Sequence, residues 1–291
     1  MKHAILGAGA IGGLMGTKLA SIGEDVIVIV RPDKLSSYPA RLTLERPAGT
    51  ITAPARAVSR LTEPVEALWI ATKTFQLSSA LESVAVTPQM IIPLLNGTEH
   101  MDFLRQRFAK THVLAGTIAI EAERIAPGRF LQVGQIARLN LIGTAEPALG
   151  PLVSRMNDSG FASQFMASEP TLLWSKLCFL GPFAMVTSAS GMNKEQVFAD
   201  PEWKKKAFAA VAEACVVARA PGAEVDAAKI QSFMENAPAA MRSSMQKDVA
   251  AGRPTELDAI GGAIVRAAEQ QGIDVPVTRS LISAIQAKAA A

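Results

Sequence analysis

Apolar residues in this chain fall first into short unbroken runs and later into long helical stripes. Ala4-Ile5-Leu6 is the kind of run that a fully buried strand shows, and it leads straight into Gly7-Ala8-Gly9-Ala10-Ile11-Gly12. Residues 14–22 read as a helix closed by Gly23, since glycine suits the left-handed conformation at a helix end. Residues 26–30 are then continuously apolar and β-branched, as expected of a parallel strand covered on both faces. The signal repeats at residues 67–71, 90–95 and 112–115, with helical segments near 76–83 and 101–108 between them. Strands alternating with helices predict a doubly wound α/β domain.

The pattern changes near Ser168-Glu169-Pro170. Beyond it strand signals are few and helical stripes long, for example over residues 203–217 and 256–271, so the second domain is expected to be all-helical. The division that follows is residues 1–167 and 168–291, two domains as a length of 291 residues suggests. The alanine-rich end, residues 287–291, reads as a fraying helix terminus.

Composition narrows the class. A hydrophobic share of 49% with 19% charged residues excludes a disordered chain, and this length buries a core without metal or disulfide staples. The net charge is only +3 and the longest basic run is Lys204-Lys205-Lys206, which argues against a nucleic-acid surface. Aromatics make up 5%, with Tyr38 the single tyrosine, so small residues and close packing replace stacking platforms. Cys178 and Cys215 fit no zinc or redox spacing, so no metal is expected and a reducing compartment is. No window supplies the ~20 consecutive apolar residues of a membrane helix, and the amino-terminal apolar run is broken at once by glycines. A cytoplasmic protein with no membrane partner is the expectation.

Gly7-x-Gly9-x-x-Gly12, set between a strand and a helix, carries the clearest chemistry. Gly7 permits the tight turn, Gly9 lets a pyrophosphate approach the backbone, and Gly12 lets the helix pack on the strand. The amides that open the helix, from Ala8 and Ala10 through Ile11, then face the diphosphate. An acidic residue at the end of the next strand would favour NAD; here Arg31 stands there. Arg31 is either a ligand for a 2′-phosphate or a solvated surface arginine, and Asp33 nearby leaves NAD open. Lys73, just past another strand, adds a second cation and tips the expectation to NADPH. Asn96-Gly97 ends a further strand, where ligands bind in such sheets, although Asn-Gly is also a common turn.

Two segments of the helical part stand out. Leu172-Leu173-Trp174-Ser175-Lys176-Leu177 places a lysine in an apolar helix, as a snorkelling side chain or as a reactive one. Ser243-Ser244-Met245 through Asp248, Gly252-Arg253-Pro254 and Thr255-Glu256-Leu257-Asp258 form a loop followed by acidic residues that open a helix. Those acids are either helix-dipole partners or part of a site.

Taken together and in order, the Gly7–Gly12 motif, Asn96-Gly97, Trp174-x-Lys176-Leu177 and Ser244-Met245…Asp258 resemble the ketopantoate (2-dehydropantoate) reductases over nearly the whole chain. The resemblance implies an NADPH-binding Rossmann domain joined to a helical domain like that of 6-phosphogluconate dehydrogenase, with the active site in the cleft. It also implies reduction of a small 2-oxo acid in pantothenate biosynthesis. Lys176 would be the general acid, Glu256 its partner beside cofactor and substrate, Ser244 a ligand of the substrate carboxylate, and Asn96 a donor near both. Such chemistry is sound: hydride addition to a 2-oxo carbon leaves negative charge on oxygen, which an ammonium stabilises and protonates. Where the family carries two asparagines after its lysine, this chain has Leu180 and Ala184, which cannot hydrogen-bond a substrate hydroxyl. A less polar ketone or 2-oxo acid is therefore an alternative substrate, and a dinucleotide-binding sensor with weak turnover an alternative role. A 3-hydroxyacid dehydrogenase is a further alternative, against which the Gly252–Asp258 block argues. Pro182 is expected to kink the lysine helix. The alanine-rich helices are the candidate surface for a homodimer.

Overall fold

The computed structural model describes residues 1–290; Ala291, the last residue of the alanine-rich end, lies outside the described residues. The chain forms two compact units: Met1–Leu95 with His100–Ala167, and Asn96–Glu99 with Ser168 onward.

The first unit contains β1 (Lys2–Leu6), α1 (Ala10–Ser21), β2 (Asp25–Ile29), α2 (Pro32–Leu35), β3 (Arg41–Glu45), β4 (Ile51–Pro54), β5 (Arg56–Val58) and β6 (Ala67–Ile70). It continues with α3 (Leu77–Ala80), β7 (Met90–Pro93), α4 (His100–Arg107), β8 (His112–Val113), β9 (Gly116–Ala126), β10 (Arg129–Ile142), α5 (Glu146–Asp158) and β11 (Ala162–Met166). Six strands form a parallel sheet in the order β5-β2-β1-β6-β7-β8. The unbroken apolar runs are its central strands: Ala4, Ile5, Val28, Leu68 and Trp69 are wholly buried, because both faces are covered.

The expected helix near 76–83 is one turn of α3 between two 3₁₀ turns. A larger departure is a second, mixed sheet ordered β11-β10-β3-β4, with β9 paired to β10 in a long antiparallel hairpin. Simple strand–helix alternation does not describe this half of the unit. Its strands alternate buried and exposed positions, as in Leu42 and Leu44 of β3, so they lack the continuous runs that marked the first sheet. At the amino end of the parallel sheet, buried His3 bridges Glu24 (Nε2 to Oε2, 3.1 Å) and accepts from Trp69 Nε1 (3.1 Å); the amino-terminal ammonium and Arg155 also pair with Glu24.

The second unit is helical. α6 (Glu169–Ser190) is followed by α7 (Lys194–Ala199), α8 (Pro201–Arg219), α9 (Ala227–Glu235), α10 (Ser244–Ala250), a π turn (Asp258–Gly262), α11 (Ala263–Gln271) and α12 (Pro276–Ala290). Ser168 caps α6 by accepting from Thr171 N, and Gly191, at φ +81°, closes it. α6 runs unbroken through Pro182 and packs against α8, α10 and α12. By length and composition α6 could cross a membrane, but it is mostly buried as the core helix of its unit. Cys178 on α6 and Cys215 on α8 are free thiols in that core.

Candidate active site

In the first unit the turn after β1 is shaped by its glycines. Gly7 sits at φ +100°, and a Cβ there would lie 2.8 Å from the carbonyl of Ala71. A Cβ on Gly12 would collide with the carbonyl oxygen of Gly7, and one on Gly13 with the ring of Phe130. Gly13, which the spacing argument did not single out, is thus as constrained as the motif glycines, because Phe130 of β10 packs onto α1. Gly9 differs: nothing lies within 4 Å of its missing Cβ. It is also the N-cap of α1 and offers no side-chain cap; the first intrahelical bond is Gly13 N to Gly9 O. Ala10, Ile11 and Gly12 therefore stand ahead of that bond, at the positive end of a twelve-residue helix beside open space. This geometry fits a diphosphate group.

Arg31 caps α2 and is 75% exposed, with its Nε 3.8 Å from Asp33; Lys73 caps the 3₁₀ turn after β6. Because β2, β1 and β6 are neighbours, Arg31, the glycine turn and Lys73 follow the carboxyl ends of three adjacent parallel strands. That edge is where sheets of this kind bind ligands.

In the second unit the structure brings together Asn96, Lys176 and Glu256. Asn96 Nδ2 donates to Glu256 Oε2 at 3.2 Å. Glu256 is buried, and its charge raises the affinity of the Lys176 ammonium for its proton. Desolvation outweighs this and lowers the Lys176 pKa to about 8. Lys176 is half-buried on α6. Glu256 opens a helix as expected: it stands just before the first helical residue, Leu257, and its carbonyl accepts from Ile260 N at 3.0 Å, the π turn following. At that N-cap position Glu256 ends a non-helical segment from Arg253 to Glu256, and its carboxylate accepts from Asn96 as well as standing at the positive end of the helix. That segment is anchored by Arg253, whose Nε bonds Asp248 Oδ1 (2.9 Å) and whose amide bonds the Asp248 carbonyl (2.9 Å).

Ser244 is exposed at the start of α10. Its neighbour Ser243 is the buried N-cap, accepting from Gln246 N (3.1 Å) and lying 2.9 Å from Thr187 Oγ1 on α6. Thr187 is eleven residues beyond Lys176, about 16 Å along the helix, so Ser244 makes no direct contact with the Lys176 group. Leu180, one turn from Lys176, is partly exposed, whereas Ala184 is buried in the core. Sequence patterning missed Thr187, Glu99 and Arg266. Glu99 and Arg266 form a bidentate ion pair of 2.7 Å bonds, and no periodicity announces such a pair across 167 positions.

Residues 3–143 match a family model described as ketopantoate reductase PanE/ApbA, and residues 171–289 match its C-terminal counterpart. A 2-dehydropantoate 2-reductase of Caulobacter vibrioides is 27% identical over 299 residues, covering 98% of both chains. The structure of a PanE/ApbA family ketopantoate reductase from Ralstonia eutropha superposes with a TM-score of 0.87 at 25% identity, covering 99% of this chain and 98% of that one. D-mandelate dehydrogenase, solved with NADH and anilino(oxo)acetate, gives a TM-score of 0.87 at 23% identity over 99% and 98% of the two chains, a likeness of fold.

Proposed function

The chain belongs to the ketopantoate reductase family, and on that premise we propose that it reduces 2-dehydropantoate or a related 2-oxo acid to the 2-hydroxy acid with NADPH. The observation that carries this reading is the Lys176–Glu256–Asn96 group. When bound, the dinucleotide supplies the hydride. Gly7, Ala8, Gly9, Ala10, Ile11 and Gly12 would hold its diphosphate, and Arg31 with Lys73 would meet a 2′-phosphate through charge-assisted hydrogen bonds.

Lys176 is the proton donor in this scheme. With a pKa of about 8 its ammonium is mostly charged at neutral pH yet releases its proton readily, a match between acid strength and operating pH. Glu256 holds the ammonium charged, and Asn96 orients the Glu256 carboxylate. The ammonium also draws in an anionic substrate.

A second reading concerns the substrate chain. Leu180 presents partly exposed apolar surface one turn from Lys176. A substrate hydroxyl left unpaired there would cost about 1–3 kcal/mol, which favours a 2-oxo acid less polar than ketopantoate. The test is steady-state oxidation of NADPH and of NADH by the purified protein against ketopantoate and a series of unhydroxylated branched and aryl 2-oxo acids. The proposal expects turnover of at least one, with NADPH preferred. No turnover of any 2-oxo acid with either dinucleotide would overturn it.

A further inference from the structure

Asn96 and Glu256 lie 160 positions apart and on different segments, so something must hold these segments in register. Asn96 belongs to the short stretch Asn96–Glu99, and Glu256 precedes Leu257, which leads into the π turn. Gly97 and Arg266 join them besides the Asn96–Glu256 bond. Gly97, at φ +83°, lies so close to the carbonyl oxygen of Ala259 that a Cβ would collide with it. Arg266, on α11, reaches both segments with one guanidinium. Its Nε and Nη2 donate to the two oxygens of Glu99, each at 2.7 Å, and its Nη1 donates to Asp258 Oδ1 at 2.7 Å. Nη2 also reaches the Asp258 carbonyl at 3.1 Å.

The local backbone is built around this fork. A Cβ on Gly262 would sit 2.8 Å from Asp258 Oδ1 and 2.9 Å from Arg266 Nη1, so glycine there leaves the pair its room. Glu99 is three residues from Asn96, and Asp258 is two from Glu256. The side chains are well exposed, 39% for Arg266, 52% for Glu99 and 87% for Asp258, so solvent screens their attraction and the pairs add little to stability. What a bidentate fork retains at a surface is geometry: a planar guanidinium fixes the direction of both carboxylates.

We propose that Arg266 is a positioning residue, clamping Glu99 and Asp258 so that the Asn96–Glu99 stretch and the Glu256 segment keep the Asn96–Glu256 contact that orients Glu256 toward Lys176. This rests on the reading of Lys176 and Glu256 as the working pair. Arg266 touches neither Lys176 nor Glu256 in this scheme; it acts through Asn96 and the backbone on either side of Glu256.

The sign of one effect separates this role from a simple electrostatic one. Glu256 is the charged group whose field is felt at Lys176, and it raises the Lys176 pKa. If Glu256 loses its support, that pKa falls. Mere removal of the Arg266 positive charge would instead leave Glu99 and Asp258 uncompensated and push it upward.

The experiment is the pH dependence of Lys176 acylation by a water-soluble amine reagent, read by mass spectrometry of its peptide in the full chain, for wild type, Arg266→Met and Arg266→Lys. The midpoint in Arg266→Met is expected to fall by about half a unit or more. Arg266→Lys keeps the charge without the fork and is expected to lower it in the same direction. It also serves if the methionine variant does not fold. Amide hydrogen exchange over residues 96–99 should quicken in both variants. A midpoint that stays put or rises in the folded variants overturns the proposal. The readout needs no substrate, so a wild-type chain that turned over no 2-oxo acid would refute the functional reading separately from this one.

Discussion

Replacing Lys176 by methionine should make the protein more stable at neutral pH while removing its proposed chemistry. Burial lowers the Lys176 pKa from 10.5 to about 8, and at about 1.4 kcal/mol per pKa unit the charged ammonium costs at most about 3–4 kcal/mol. That ceiling applies below pH 8, where the lysine is protonated in both folded and unfolded chains. Between about pH 8 and 10.5 the folded protein has released the proton that the unfolded chain still binds, so wild-type stability rises with pH and the cost disappears. Lys176→Met, similar in length and without charge, lacks this term. Urea unfolding of both proteins from pH 6 to above pH 10, followed by circular dichroism, gives the difference directly. The variant is expected to be more stable by about 1–3 kcal/mol at pH 6, with the gap closing above pH 8. A variant less stable than wild type at pH 6, or a gap that does not change with pH, would refute the idea that this lysine is held charged at a desolvation cost.

Glu256→Gln keeps the shape but removes the charge that raises the Lys176 pKa, so the alkaline limb of the pH–rate profile should move below pH 8, by about 1–3 units for a close pair; an unmoved limb would count against the pairing. Arg31→Ala should raise the KM for NADPH about tenfold or more and leave that for NADH nearly unchanged, since only the former carries a phosphate for the guanidinium to grip; equal effects on both would deny Arg31 that role. Burial lowers the His3 pKa, partly offset by its bond to Glu24. With Trp69 donating to Nδ1, the folded protein resists protonation of this ring. The unfolded chain binds the proton near pH 6.5, so stability should fall as pH drops through that value, and this slope should shrink in a folded His3→Gln variant.

The first sheet and the glycine turn are legible in the sequence because each obeys a local rule. A strand covered on both faces must be apolar throughout, and Gly7 and Gly12 stand where the backbone admits no Cβ. The second sheet breaks the first rule: Thr43, Glu45 and the outer half of β9 face solvent, so apolar runs never form. That Glu256 opens a helix is legible because an acidic residue ahead of an apolar stripe has that meaning locally. Its actual setting depends on Asn96, 160 positions away, and on the Arg253–Asp248 anchor behind it. Lys176 stood out as a charge in an apolar stripe, but its lowered pKa reflects the packing around α6, which sequence spacing does not express. Arg266 looked like any surface arginine of an amphipathic helix until Glu99 arrived from elsewhere in the chain.

The claim at the centre is that Lys176 delivers the proton during reduction of a 2-oxo acid. Its most direct test is the pH dependence of kcat for wild type and Lys176→Met on the best-turned-over 2-oxo acid, with dinucleotide binding measured alongside. Wild type should lose activity above about pH 8, and the variant should bind the dinucleotide normally while its kcat falls about 10²–10⁴-fold and no longer follows that limb. A variant that keeps wild-type turnover, or a wild-type rate that stays flat through pH 8 and beyond, would contradict it.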